Sequence, residues 1–191
     1  MSFGSRPYVR PDRMQLFTLW MGVYVARHLK ERLSLDIGVK WPNDLFYNNQ
    51  KLGGMLTEAR VDADSLRELV FGIGLNVNQT KKDWPEDLQQ TATSLRELRG
   101  EEQDLNRVAA LLIEAIYSGY QAFLAGNIRA TFEDMWPEFD ILKGQLIEAE
   151  TRNGNLQGVA KGLDNRGSLI LKTLEGKLTT LNSGDVHIKR R

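Results

Sequence analysis

The sequence predicts an α+β fold: a mixed sheet packed on helices, followed by a small five-stranded β-barrel. Three observations carry this expectation. Segments 13–33 and 104–125 place apolar residues at helical spacing. Between them, the runs 37–45, 51–59 and 68–77 have strand-like composition and short connections. After Ile141 the composition shifts to short strand-like runs separated by turn signals. A domain boundary is therefore expected near Phe139 to Lys143, dividing residues 1–140 from 141–191.

The elements follow in chain order. Residues 1–13 hold Gly4, Pro7 and Pro11 with Phe3, Tyr8 and Val9 between them, and read as an irregular lead-in. Leu16, Leu19, Trp20, Val23 and Ala26 give the first helix its apolar side. The run 37–45 contains Pro42, which must end regular pairing or sit at a bulge. The polar turn Asn48-Asn49-Gln50 makes a hairpin with 51–59, and 68–77 completes a meander. A short helix is expected near Thr93 to Leu98. Asp104 is a good N-cap for the second long helix, and Gly126 suits its end. A helix over 128–135 should stop at Pro137. Asn153-Gly154, Asp164 to Gly167, Glu175-Gly176 and Ser183-Gly184 mark the barrel turns.

Composition excludes several kinds of chemistry. The chain has 191 residues with 25 basic and 25 acidic side chains, a zero net charge that argues against a general nucleic-acid binder. With no cysteine, disulfides, thiolate catalysis and Cys-based zinc sites are impossible. His28 and His187 are the two histidines, which argues against a multi-His metal site and a Ser-His-Asp triad. Both read as surface residues. No stretch approaches the ~18 apolar residues of a membrane span. Residues 1–13 do not read as a secretory signal, so a cytoplasmic protein without membrane contact is expected.

Three ordered blocks carry a resemblance. They are Val39-Lys40-Trp41-Pro42-Asn43-Asp44-Leu45, then Lys51-Leu52-Gly53-Gly54-Met55-Leu56-Thr57-Glu58, then Gly72-Ile73-Gly74-Leu75-Asn76-Val77-Asn78. Together with Ala92-Thr93-Ser94-Leu95 and the closing β-domain, they resemble the biotin–protein ligase (biotin–[acetyl-CoA-carboxylase] ligase) family from about Leu16 to Lys189. The resemblance implies a partial class II synthetase-like core followed by an SH3-like barrel. It implies ATP, Mg²⁺ and biotin as substrates or ligands. A lysine of a biotin carboxyl-carrier protein would be the acceptor, and a homodimer is compatible. No DNA-binding domain, as found in repressor members of the family, is present in the sequence.

The residues support specific roles beside that resemblance. Joining a carboxylate to a phosphate brings two anions together, so a fixed cation is needed. Lys40, at a strand end beside a proline, is the catalytic and substrate-binding candidate; by resemblance it lies between carboxylate and phosphate. A strand-edge lysine that prevents aggregation is the alternative. Asn43 and Asp44 can tie the bend to backbone, and Asp44 can also hold Mg²⁺ through water. Gly53 and Gly54 interrupt a strand, which fits a bulge or a visiting flat ring; by resemblance they line the biotin pocket. Gly72 and Gly74 alternate, leaving one strand face open for a pocket floor or for close helix packing. Asn76 is a turn residue or, by resemblance, an adenine contact. The Gly-x-Gly here lacks the third glycine of a dinucleotide fingerprint. No metal ligands are assigned.

The sequence departs from the family in two respects. It contains neither the early Ser-Thr pair nor the Gly- and Arg-rich loop that covers the adenylate, and Arg6, Arg10 and Arg13 do not match that loop. Impaired turnover is the expectation. A non-catalytic chain that binds adenylate or carrier protein is the alternative. A lipoate ligase is disfavoured by the Lys40 to Asp44 block.

Overall fold

The structure, a computed structural model, describes residues 1–7, 9–62, 65–151 and 154–189. Tyr8, Asn153 of the first expected barrel turn, and the C-terminal Arg190-Arg191 lie outside the described residues.

The first helix, α1 (Phe17–Leu33), buries residues around most of its circumference, including Phe17, Trp20, Met21, Val25 and Leu29. A 3-10 turn, Pro11–Leu16, leads into it. Such all-round burial needs neighbours on several sides. On one side lies α3 (Leu105–Ala125), and Trp20 Nε1 donates to Gly119 O at 2.7 Å between the two helices. On the other lies the first sheet, where Phe17 meets Phe71 edge-on at 6.1 Å.

That sheet comprises β1 (Ser2–Ser5), β2 (Gly38–Lys40), β3 (Asp44–Tyr47), β4 (Gln50–Asp62) and β5 (Ser65–Leu75), in the order β1-β5-β4-β3-β2. Its ladders are antiparallel, and among the described residues parallel pairing enters only through the isolated bridges Val39–Asp140 and Lys51–Ala92. Pro42 ends pairing as expected: β2 stops at Lys40, residues 41–43 turn through a cis Trp41–Pro42 peptide bond, and β3 begins. The irregular lead-in is corrected by β1, which pairs Ser2–Ser5 with Gly72–Leu69. Four residues containing Gly4 show no periodicity of their own; the long strand β5 supplies the template.

Helix α2 (Leu95–Arg99) starts at Ser94, whose Oγ accepts from the Glu97 N–H. In α3, Asp104 caps the first turn through the Asn106 and Arg107 N–H groups. By length and composition α3 is apolar enough to cross a membrane, which corrects the expectation that no stretch is. Its Val108, Leu112, Ile116 and Phe123 are buried in the core. Helix α4 (Ile128–Phe139) runs through Pro137 rather than stopping before it. Pro137 removes one N–H, but Trp136 and Phe139 are buried and the Asp140 N–H closes on Trp136 O at 3.0 Å.

Asp140 then ends α4 in the link between the two sheets and bridges to Val39 of β2. Its carboxylate accepts from Leu142 N (2.9 Å), Lys143 N (3.2 Å) and Trp136 Nε1 (3.0 Å). Burial raises its pKa, and the three donors act against that rise. The second sheet holds β6 (Leu146–Thr151), β7 (Gly154–Leu163), β8 (Leu169–Thr173), β9 (Leu178–Leu181) and β10 (Asp185–Ile188), in the antiparallel order β10-β6-β7-β8-β9 of an SH3-like unit. The two sheets share one buried cluster, in which Ile147, Leu169, Leu171 and Val186 join Trp41 and Leu142.

Candidate functional site

Period-2 alternation sorts the residues of β4 and β5. Met55, Leu69, Phe71 and Ile73 point into the core. Gly54, Leu56, Gly72 and Gly74 are exposed or half-buried, and the register pairs Gly54 with Gly74 and Leu56 with Gly72. Three glycines and one leucine therefore floor a cleft of about 390 Å³, with Lys51, Asp44 and Asn43 along its rim. Leu56 is 59% exposed there, an apolar surface suited to a flat ring. A Cβ at Gly74 meets nothing within 4 Å, so helix packing is not what that glycine serves.

Gly53 differs. A Cβ there lies 2.5 Å from Gly74 O. It serves close strand approach beside the register shift between Leu45 and Phe46, and it is not among the cleft residues.

Lys51 is the cationic side chain among the residues that line this cleft, and the sequence analysis does not single it out. Its side chain is 47% exposed, and Nζ lies 2.7 Å from Asp44 Oδ1. Its backbone is held on both sides: Lys51 N donates to Thr91 O at 2.7 Å, and Thr93 N donates to Lys51 O at 3.0 Å. The Thr91–Thr93 segment thus fixes where Lys51 leaves the sheet. Gly54 leaves room for the pair, since a Cβ there would sit 3.2 Å from Asp44 Oδ1 and 3.6 Å from Lys51 Nζ.

Lys40 is placed elsewhere than at a cleft mouth. Its side chain is 9% exposed. Nζ donates to Val186 O on β10 at 2.7 Å and stands 3.8 Å from Asp44 Oδ2 and 3.9 Å from Asp185 Oδ1. The ammonium also lies 4.9 Å from the centroid of the Phe46 ring. Burial lowers its pKa from the ordinary lysine value of 10.5, while Asp44 and Asp185 push it back up. The two lysines share Asp44, but only Lys51 reaches the cleft.

Asn76 lies at the end of β5. Its Nδ2 donates to Thr93 O at 3.0 Å and Lys51 O at 3.3 Å, and its own carbonyl accepts from Leu95 N at 3.0 Å. It ties β5 to the segment that positions Lys51. Asn43 Nδ2 donates to Met55 O at 2.6 Å across the hairpin. Asp44 does not suit Mg²⁺, because two ammonium groups already flank its carboxylate. Among the described residues no group of three or more His, Asp or Glu could hold a metal. His28 Nδ1 lies 2.9 Å from Tyr24 O within α1, and His187 is exposed.

A second cleft of about 520 Å³ adjoins the first through Asn43 and Leu56 and runs between the two sheets. Trp41, Thr57, Arg166 and Asn182 are among its walls.

This arrangement of motif, glycine floor and closing barrel matches known proteins. A profile of the Biotin/lipoate A/B protein ligase family fits residues 1–76, and one of the Biotin protein ligase C terminal domain fits 144–189. The Bifunctional ligase/repressor BirA of Bacillus subtilis is 31% identical over 188 residues, covering 98% of this chain and 57% of that protein. The chain belongs to the biotin protein ligase family. The biotin–[acetyl-CoA-carboxylase] ligase of Mycobacterium tuberculosis is 30% identical over 152 residues, covering 79% of this chain and 53% of that one. This biotin protein ligase family chain therefore spans about half the length of the curated relatives it matches. The biotin protein ligase from Aquifex aeolicus in complex with biotin and ATP superposes with a TM-score of 0.77 at 25% identity, covering all of this chain and 79% of that one.

Proposed function

We propose that the chain carries the adenylate-forming face of a biotin–[acetyl-CoA-carboxylase] ligase. In that reaction a biotin carboxylate oxygen attacks the α-phosphorus of ATP, forming biotinyl-AMP and releasing pyrophosphate. A lysine amine of a carrier protein then attacks the acyl carbon, releases AMP and loses a proton to solvent. The observation that carries this reading is the Lys51 ammonium, held on Asp44 beside the glycine floor. A flat ring lies on Gly54, Gly72, Gly74 and Leu56. Lys51 faces the carboxylate–phosphate junction, where negative charge gathers in the transition state. Asn76, at the far end of β5, places the adenine end of the ligand near the Thr93 segment. Gly53 acts by shaping the floor, and Lys40 acts from behind Asp44. Mg²⁺ enters with the phosphates of ATP rather than on a protein cage.

Residues 1–140 form the partial catalytic unit and 141–191 the C-terminal unit that helps dock the carrier protein. The cleft floor opens to solvent at Leu56, so an acyl-adenylate held there meets water. Binding without fast turnover is accordingly the expected behaviour of these 191 residues. Calorimetry with a non-hydrolysable biotinyl-adenylate analogue, beside ATP–pyrophosphate exchange with biotin and Mg²⁺, tests both parts. Saturable binding with little exchange supports the reading. No binding refutes the site, and exchange at the rate of a complete ligase refutes the impairment.

A further inference from the structure

Residues 40–44 divide their contacts between the two sheets. Lys40 Nζ donates to Val186 O at 2.7 Å on β10, and Trp41 Nε1 donates to Gly167 O at 2.9 Å in the turn between β7 and β8. Asn43 and Asp44 face the other way, onto β4 and Lys51. One short turn thus grips the barrel with its first two residues and the cleft with its last two.

A continuous polar path results. Val186 O holds Lys40, Lys40 stands 3.8 Å from one oxygen of Asp44, and Lys51 lies 2.7 Å from the other. Placing an ammonium in such a joint is expensive unless its donors are directed at fixed acceptors. Apolar packing would join two units at less cost. Lys51 has a long side chain that is half exposed, so its direction depends on the Asp44 rotamer. Lys40 Nζ, 3.8 Å from the other carboxylate oxygen, is the charge placed behind that rotamer.

We propose that Lys40 is a positioning residue: it carries the placement of barrel strand β10 to Asp44, and through Asp44 it aims the ammonium of Lys51 at the cleft. This rests on the reading of Lys51 as the cation of an adenylate site. The barrel then takes part in aligning the site it adjoins, and loosening β10 misdirects the cation without touching the cleft floor.

The test is a double-mutant cycle on the whole chain, read by calorimetry with a non-hydrolysable biotinyl-adenylate analogue. Lys40→Met keeps the stem and removes the donor. It should weaken binding about tenfold, within the range of coupling between neighbouring groups, and by less than about twofold in a Lys51→Ala background. Equal losses in both backgrounds would overturn the proposal. Asp185→Asn removes an exposed negative charge beside Lys40 and leaves an amide oxygen that can still accept from Val186 N, so it decides the matter if Lys40→Met folds poorly. It should show the same loss of effect without Lys51.

A second readout needs no ligand. After reductive ¹³C-methylation of the lysines, the Lys51 methyl resonance, assigned by its absence in Lys51→Arg, should move in Lys40→Met and Asp185→Asn. An unmoved resonance refutes the link. If the unsubstituted chain does not bind the analogue, the adenylate-site reading fails, and this resonance alone judges Lys40.

Discussion

Lys51 Nζ lies 2.7 Å from Asp44 Oδ1, pairing a half-exposed ammonium with a buried carboxylate. The asymmetry matters. Asp44, on β3 and nearly buried, cannot move far, so it works as an anchor. Lys51 keeps a face toward the cleft and can exchange one carboxylate contact for a ligand's anion. A surface pair with both partners free would contribute little and orient nothing.

Removing Lys51 should therefore affect binding more than folding. Charge-assisted hydrogen bonds are worth about 1.5–3 kcal/mol, so Lys51→Ala should weaken the biotinyl-adenylate analogue by about that amount. Asp44 keeps Lys40 at 3.8 Å, and water reaches the side that Lys51 leaves, so the melting temperature should hardly move. Calorimetry and thermal melting on one preparation separate the two effects. Unchanged affinity with a large drop in melting temperature would make Lys51 structural.

Lys40 should behave in the opposite way. A lysine at a cleft mouth leaves stability alone when removed, whereas Lys40→Ala deprives Val186 O of its donor in a buried joint. The cost should be about 1–3 kcal/mol in urea denaturation.

Its titration gives a second signature. The folded pKa is lowered, chiefly by burial, below the ordinary 10.5. Between the two values the unfolded chain binds more protons than the folded one, so stability rises with pH through that window. The favourable contribution is present above 10.5 and is lost as pH falls through the folded pKa. The stability of the unsubstituted chain relative to Lys40→Met should therefore increase from neutral pH toward 10.5. A flat difference across that range would mean that Lys40 is not desolvated.

How far these features were legible in the sequence depends on distance along the chain. Gly72 and Gly74 could be read because alternation is local: two residues apart on a strand means one face. The same rule makes Gly53 and Gly54 face opposite ways, whereas the resemblance implies that both line the pocket. That Lys51 rather than Lys40 reaches the cleft is not legible locally. It depends on where Val186 lies, 146 residues beyond Lys40, and on the bridge from Lys51 to Ala92. The strand β1 was hidden for a similar reason, since its partner β5 is about seventy residues away in the register. Local propensity stops a helix at Pro137, whereas the burial of Trp136 and Phe139 carries α4 through it.

The glycines offer a paired experiment. A Cβ at Gly53 would sit 2.5 Å from a backbone oxygen, whereas one at Gly74 is unobstructed. Gly53→Ala should thus destabilise the fold by about 1–3 kcal/mol, the usual cost of overpacking. Gly74→Ala should leave stability unchanged or slightly improved, because glycine weakens a strand. If the cleft floor holds a ring, Gly74→Val should reduce analogue affinity while the protein melts normally. Normal affinity in Gly74→Val would remove this glycine from the site.

Trp41 tests how strongly the two sheets depend on each other. Its ring is 2% exposed, and Nε1 donates to Gly167 O at 2.9 Å. Gly167 sits against α1's approach, where an added Cβ would come within 2.8 Å of Leu16 Cδ2, so the turn at 164–168 has little freedom to adjust. Trp41→Phe removes the donor and part of the ring volume together, at a cost of about 1–3 kcal/mol. The barrel is small and shares its buried residues with the larger unit, so it should lose more than the helices do. Hydrogen exchange in Trp41→Phe should show protection falling in β6 to β8 while α1 and α3 stay protected. A uniform fall would mean that both sheets open as one cooperative body. Unchanged protection everywhere would mean that the barrel stands on its own core and that this joint does not hold it.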